Sequence, residues 1–178
     1  EGDWLILDGF FQHDPMPAKL EGTPKPLSLY RSIDLDRLQT RPHRWRFNLV
    51  TGETKEESLS DRVMEFGMIN PKIAGQSYRY SYNMTGKPGW FLFDGVVKQD
   101  VLTGTEERYF FGEGVFASET PFAPRPNAAA EDDGYLITIT TDMNRDCSEC
   151  LIFDATRLTD GPIARVRLPE RVSSGTHS

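Results

Sequence analysis

His177 stands next to last in the chain, in Arg171-Val172-Ser173-Ser174-Gly175-Thr176-His177-Ser178, with no other histidine after His43. An imidazole placed just after a glycine turn, at the end of a strand-rich chain, is better explained as a metal ligand than as packing. One histidine does not make a site, so this chain is expected to hold only part of one. Two carboxylates are candidates to support it. Glu65, in Val63-Met64-Glu65-Phe66-Gly67-Met68-Ile69-Asn70, and Glu119, in Val115-Phe116-Ala117-Ser118-Glu119-Thr120-Pro121-Phe122, both stand where a strand pattern calls for an apolar or small residue. A carboxylate among apolar neighbours needs a partner to offset its desolvation, and the outward N–H of a metal-bound imidazole is one such partner. The pattern is equally served by side chains that point to solvent from the alternate face, and both readings stand on the residues alone.

The other titratable groups carry less. His13 sits at a strand end entering a Pro-rich loop, and His43 is flanked by Arg41 and Arg44, which would repel a metal cation; both read as solvated loop histidines. Cys147 and Cys150 have the spacing of half a zinc knuckle but no second pair to complete four ligands, so they read as free thiols. Glu131-Asp132-Asp133-Gly134 lacks the ligand ladder of a calcium loop and reads as a solvated turn. No Gly-rich phosphate loop, Gly-x-Ser-x-Gly elbow or His-Glu-x-x-His helix is present.

These residues need a scaffold, and the scaffold reads as mostly β. The chain has 178 residues, 38% of them hydrophobic and 26% charged, enough for one globular domain with a sizeable core. A net charge of −7 argues against nucleic acid or an anionic bilayer as a partner. Apolar runs such as Trp4-Leu5-Ile6-Leu7 are far shorter than the roughly 18 residues of a membrane helix. Two cysteines point to a reducing compartment, and the expected location is the cytoplasm. Strands are expected at 4–11, 28–35, 44–50, 77–83, 90–98, 107–112, 135–142, 151–154 and 164–168, with long surface connections at 14–26 and 120–130. Three turns look alike: Asn48 to Gly52, Asp100 to Gly104 and Asp154 to Gly161 each end a strand on Asn or Asp and use a glycine to turn back. The spacings, 100 − 48 = 52 and 154 − 100 = 54, suit the blade period of a β-propeller, with a sandwich as the alternative. Residues 1–178 then form a single incomplete domain of three to four blades, too few for a comfortable ring.

Several motifs in order resemble the carotenoid cleavage oxygenases, a family that includes lignostilbene dioxygenases and the retinal pigment epithelium isomerase. Those residues are Glu65-Phe66 with Ile69-Asn70, Tyr78-Arg79-Tyr80, Val97-Lys98 with Asp100, Glu119 with Pro124-Arg125-Pro126, Glu131-Asp132-Asp133-Gly134-Tyr135-Leu136, Ile152-Phe153-Asp154-Ala155, Gly161-Pro162 through Leu168-Pro169, Arg171-Val172 and Gly175-Thr176-His177. The resemblance implies the C-terminal part of a seven-bladed β-propeller with a ferrous ion on its axis, held by four histidines. His177 matches the last of the four, and the other three are expected outside this chain. Glu65 and Glu119 match glutamates that accept hydrogen bonds from ligand imidazoles. The implied reaction splits a conjugated C=C bond of a carotenoid, apocarotenoid or stilbene with O2 into two carbonyl products, with Fe(2+) and no organic cofactor, and the piece is expected to be inactive alone. Peripheral membrane contact is expected only through the portion outside this chain. Two departures stand out: Gly67 follows the Glu-Phe pair and Thr120 follows Glu119, where the family commonly has Pro. Phe10, Phe11, Trp90, Phe91, Tyr109 and Phe110 offer apolar surface for core or tunnel. A non-catalytic β-rich binding or scaffold module is the competing reading.

Overall fold

The computed structural model describes residues 2–13, 39–86 and 92–173. Its twelve strands are β1 (Trp4–Gln12), β2 (Thr40–Asn48), β3 (Thr54–Ser58), β4 (Met64–Met68), β5 (Tyr80–Gly86), β6 (Phe93–Asp100), β7 (Glu106–Phe110), β8 (Val115–Ala117), β9 (Phe122–Pro124), β10 (Gly134–Asp142), β11 (Cys147–Asp154) and β12 (Pro162–Arg167). All pairings are antiparallel. The strands form three successive meanders: β1-β2-β3, then β4-β5-β6-β7, then β8 and β9 against β10, followed by β11 and β12. The single pair Phe93↔Ala117 joins the second meander to the third. No helix among the described residues is long and apolar enough to cross a membrane.

The three turns singled out in the sequence each join the last two strands of a meander. Asn48 Oδ1 accepts the N–H of Val50 and Thr51 at 3.0 and 2.8 Å, and Asp100 Oδ1 accepts those of Leu102 and Thr103 at 3.0 and 3.3 Å. Gly52 and Gly104 then turn with φ of 74° and 73°, a region open to glycine at little steric cost. Asp154 Oδ1 accepts from Thr156 in the same way at 3.0 Å, but that turn runs on through a short 3-10 helix, Leu158–Asp160, before Gly161. Thus the spacing of about fifty residues reflects equivalent positions in successive meanders. The β10–β11 turn repeats the chemistry at the opposite strand end, with Asp142 as acceptor and Asp146 at φ 47° in place of a glycine.

Two seams separate the meanders, and β5 faces both because its side chains alternate. Tyr82 and Met84 enter the main core with Val96, Phe122, Leu136, Leu151, Phe153 and Leu158, which lies between the second and third meanders. Burying each such side chain stabilises by about 1.5–3 kcal/mol. On the opposite face, Ser81 and Asn83 meet the first meander across a polar seam, where Tyr78 Oη donates to Asp8 at 2.5 Å and Arg44 grips both Asp8 carboxylate oxygens at 2.7 Å. Burial and the bond to the Asp8 anion push the Tyr78 hydroxyl well above its ordinary pKa.

The structure corrects several sequence expectations. Residues 120–130 are no mere surface connection, for they contain β9, and Thr120 and Phe122 are buried. The run from Glu131 is no solvated turn: Glu131 Oε1 accepts the N–H of Arg79 and Tyr80 at 2.8 and 2.7 Å, and Asp132 meets the buried Lys98 at 2.7 Å. Those contacts clamp the second meander to the third. The expected strand 28–35 lies outside the described residues, as do Trp90 and Phe91. Of the other flagged aromatics, Tyr109 packs against the core, whereas Phe11 and Phe110 are exposed.

The Arg79 guanidinium, at 2.7 and 3.0 Å, holds the Asp100 carboxyl down at about 2, helped by the turn N–H groups. A carboxyl lowered on folding adds stability above its unfolded pKa, and that contribution fades as pH falls from about 4 toward 2. In an NMR titration the Asp100 carboxyl should have its midpoint near 2. A midpoint near the ordinary carboxylate value would show that the Arg79 contact does not persist in solution.

Candidate functional site

Glu65 lies on β4, half-buried, with Met84 of β5 as its partner across the pair. The Thr40 hydroxyl, at the start of β2, lies 2.7 Å from Glu65 Oε2 and 2.7 Å from the Met64 carbonyl, so its one proton is shared between two acceptors. The first meander therefore steadies a carboxylate carried by the second. Just after Glu65 the strand bulges: Phe66 has φ 53° and the register shifts before Met68. Bulges of this kind re-aim side chains. The Phe66 ring meets Phe93 edge to face at 5.1 Å, and Phe93 pairs with Ala117 of β8.

Glu119 is also half-buried, but it sits beyond the end of β8 rather than inside a strand. Its neighbour Thr120 is 1% exposed and donates its hydroxyl to Met84 Sδ at 2.9 Å. Hence Glu65 and Glu119 flank the same buried methionine, one through backbone pairing and the other through the adjacent threonine. They belong to the segments that open the second and third meanders. Thr40 and Met84 could not be picked out beforehand, because no local spacing ties them to Glu65.

Both departures from the family pattern have local reasons. A Cβ at Gly67 would lie 2.9 Å from the Phe10 ring and 2.8 Å from Asn83 Oδ1, so glycine lets Phe10 close over β4. Thr120 replaces a ring by a hydroxyl that finds the Met84 sulfur.

The remaining candidates stay apart from this pair. His43 lies within β2, not in a loop; its ring is 16% exposed, packs on Trp45 at 4.6 Å and meets Glu56 at 3.1 Å. His13, just past β1, is exposed beside Phe11. Cys147 and Cys150 are both free, and three residues along a strand places them on opposite faces. His177 lies outside the described residues. Among the described residues no three His, Cys, Asp or Glu side chains come together to hold a metal ion. The Glu65 geometry does fit a supporting role, since an ionised carboxylate offers about four lone-pair sites and the hydroxyl of Thr40 takes at most one of them.

Repeated antiparallel meanders with stacked faces are the architecture of a β-propeller. The chain superimposes on a variant of the Synechocystis apocarotenoid oxygenase with a TM-score of 0.87 at 27% identity, covering 99% of this chain and 36% of that one. A cobalt-substituted form of the Synechocystis enzyme matches with a TM-score of 0.84. The chain belongs to the retinal pigment epithelial membrane protein family, whose model matches residues 5–178. Among its relatives are a carotenoid cleavage oxygenase of Mycobacterium tuberculosis, 35% identical over 83% of this chain and 31% of the relative, and the apocarotenoid-15,15'-oxygenase of Synechocystis, 30% identical over 99% and 36%. The chain thus spans about a third of the length of the relatives it matches.

Proposed function

We propose that this chain forms the C-terminal part of a non-haem Fe(II) dioxygenase that cleaves one conjugated C=C bond of a carotenoid, apocarotenoid or stilbene. The observation that carries this reading is the placement of two half-buried glutamates on the opening segments of neighbouring meanders, Glu65 paired across the sheet with Met84 and Glu119 next to Thr120, whose hydroxyl reaches the Met84 sulfur. Relatives named for carotenoid, apocarotenoid and lignostilbene oxygenation support the substrate class. His177 supplies one of four imidazoles to the metal, and the others lie outside this chain. Iron held by imidazoles with positions left open supplies O2 binding. Glu65 and Glu119 accept the outward N–H of ligand imidazoles, which fixes the tautomer, orients the ring and raises its basicity. Thr40 restrains the Glu65 carboxylate so that this hydrogen bond does not depend on a free rotor. The seven-bladed ring is the architecture in which such ligands meet on one axis.

The test is product analysis on the whole iron-loaded protein with a panel of apocarotenoids and stilbenes under 18O2. The expected result is two carbonyl products, each carrying one labelled oxygen, with turnover lost on chelation of the metal. Substrate recovered intact across the panel from protein with stoichiometric iron would favour a binding module instead.

A further inference from the structure

The polar seam between the first and second meanders encloses a cleft of about 570 Å³, within the range of small-molecule sites. Its lining runs along the strands from Trp4 and Leu102, at the Asn48 and Asp100 turn end, to Phe10, which packs over Gly67. Trp4, Ile6, Phe10 and Ile69 supply apolar walls. The floor is different. Ser81, Asn83 and Gln99, 7%, 2% and 1% exposed, share one face, since Ser81 and Gln99 are direct partners across β5 and β6.

These three side chains are only partly satisfied. Asn83 Nδ2 donates to Ser81 Oγ at 3.0 Å, and Gln99 Nε2 donates to the Leu59 carbonyl at 2.6 Å. That leaves Asn83 Oδ1, Gln99 Oε1 and the Ser81 hydroxyl proton without a hydrogen bond among the described residues. Tyr82 Oη is the only sealed, unpartnered side-chain polar atom among the described residues, so the Asn83 and Gln99 carbonyl oxygens keep some access, and both residues line the cleft with Ser81. Native proteins rarely strand such groups; a guest or water serves them. The charges nearby are already matched, Arg44 by Asp8 and Arg46 by Glu57, so nothing in the cleft calls for an ion.

We propose that this cleft binds a small neutral amphipathic alcohol, its hydroxyl donating to the Asn83 or Gln99 carbonyl oxygen and accepting from Ser81, and its apolar body lying between Ile6, Phe10 and Ile69. The site is separate from Glu65 and Glu119 and does not rest on the cleavage reading. Shape selects the body and the unspent floor groups select the hydroxyl. A hydrocarbon of the same shape leaves the floor unpaired.

The experiment is a titration of 15N-labelled protein with cyclohexanol and, in parallel, methylcyclohexane. The expected result is saturable shifts at the Ile69, Ser81 and Gln99 amides and the Trp4 indole, with the hydrocarbon bound about tenfold more weakly. Ser81→Ala should weaken the alcohol about fivefold and leave the hydrocarbon unchanged. Gly67→Ala, whose methyl presses Phe10 and Asn83 into the cleft, should weaken both. Equal binding of the two probes by the unaltered protein, or shifts confined to the exposed Leu7 and Phe11 face, would overturn the proposal whether or not either variant folds.

Discussion

Asp132→Ala should lower the free energy of unfolding by about 3–5 kcal/mol, the range for stripping one partner from a buried ion pair. Lys98 is 5% exposed; its ammonium lies 2.7 Å from Asp132 Oδ2 and 4.5 Å over the Tyr80 ring. With Asp132 gone, the charge keeps only the ring, and the cost is that of an unpaired ammonium out of water. The pair also spans the second and third meanders, beside the Glu131 clamp on the Arg79 and Tyr80 amides. Denaturant unfolding measures the effect directly. Lys98→Met combined with Asp132→Leu should recover most of the loss, because an apolar pair of similar volume carries no desolvation cost. Lys55→Ala makes the control: its contact with Glu53 is more than half exposed on both sides, and it should change stability by less than about 1 kcal/mol. An Asp132→Ala protein as stable as that control would show that the buried pair does not hold the seam.

What the sequence made legible was local chemistry, and what it hid was chemistry between distant segments. The Asn48, Asp100 and Asp154 turns could be read because each closes on itself: the capping side chain and the amides it accepts are two or three residues apart. Strand β10 could be read because Ile137-Thr138-Ile139-Thr140 alternates β-branched apolar and polar residues, although the structure buries the Thr138 and Thr140 face more deeply. By contrast β4 has Glu65 and Gly67 in five residues and a bulge at Phe66, so no alternation marks it. Strand β3 is exposed throughout and carries no apolar face to read. The acidic run at Glu131 looked solvated because its partners, Lys98 and the amides of Arg79 and Tyr80, lie 34 and 51 or 52 residues away. The same limit hid Thr40, 25 residues from Glu65. Glu65 and Glu119 were legible as odd carboxylates, but the pairing of Glu65 with Met84 and the bond from Thr120, beside Glu119, to the Met84 sulfur are tertiary facts.

His177→Ala is expected to remove bound iron from the whole protein, the largest effect on the proposed site. Imidazole is a neutral nitrogen donor suited to first-row metals, and losing one of four removes a coordination position outright. No substitute stands ready among the described residues: His43 is held by Trp45 and Glu56, and neither it nor His13 lies with Glu65 or Glu119 in a metal-binding group. Glu65→Gln should act differently. The amide keeps the carboxylate's shape and an oxygen for Thr40 but loses the charge that, in the proposed role, raises the basicity of a ligand imidazole. Loss of such a supporting hydrogen bond typically weakens metal affinity 10–100-fold. Metal analysis after dialysis against a graded chelator separates the two outcomes. The Glu65→Gln protein should lose iron at lower chelator concentration than the unaltered protein, and the His177→Ala protein should hold none before chelator is added. Circular dichroism matching the parent's would place both effects at the metal rather than in the fold. Stoichiometric iron in His177→Ala would remove His177 from the ligand set, and an unchanged chelator profile in Glu65→Gln would remove the supporting role of Glu65.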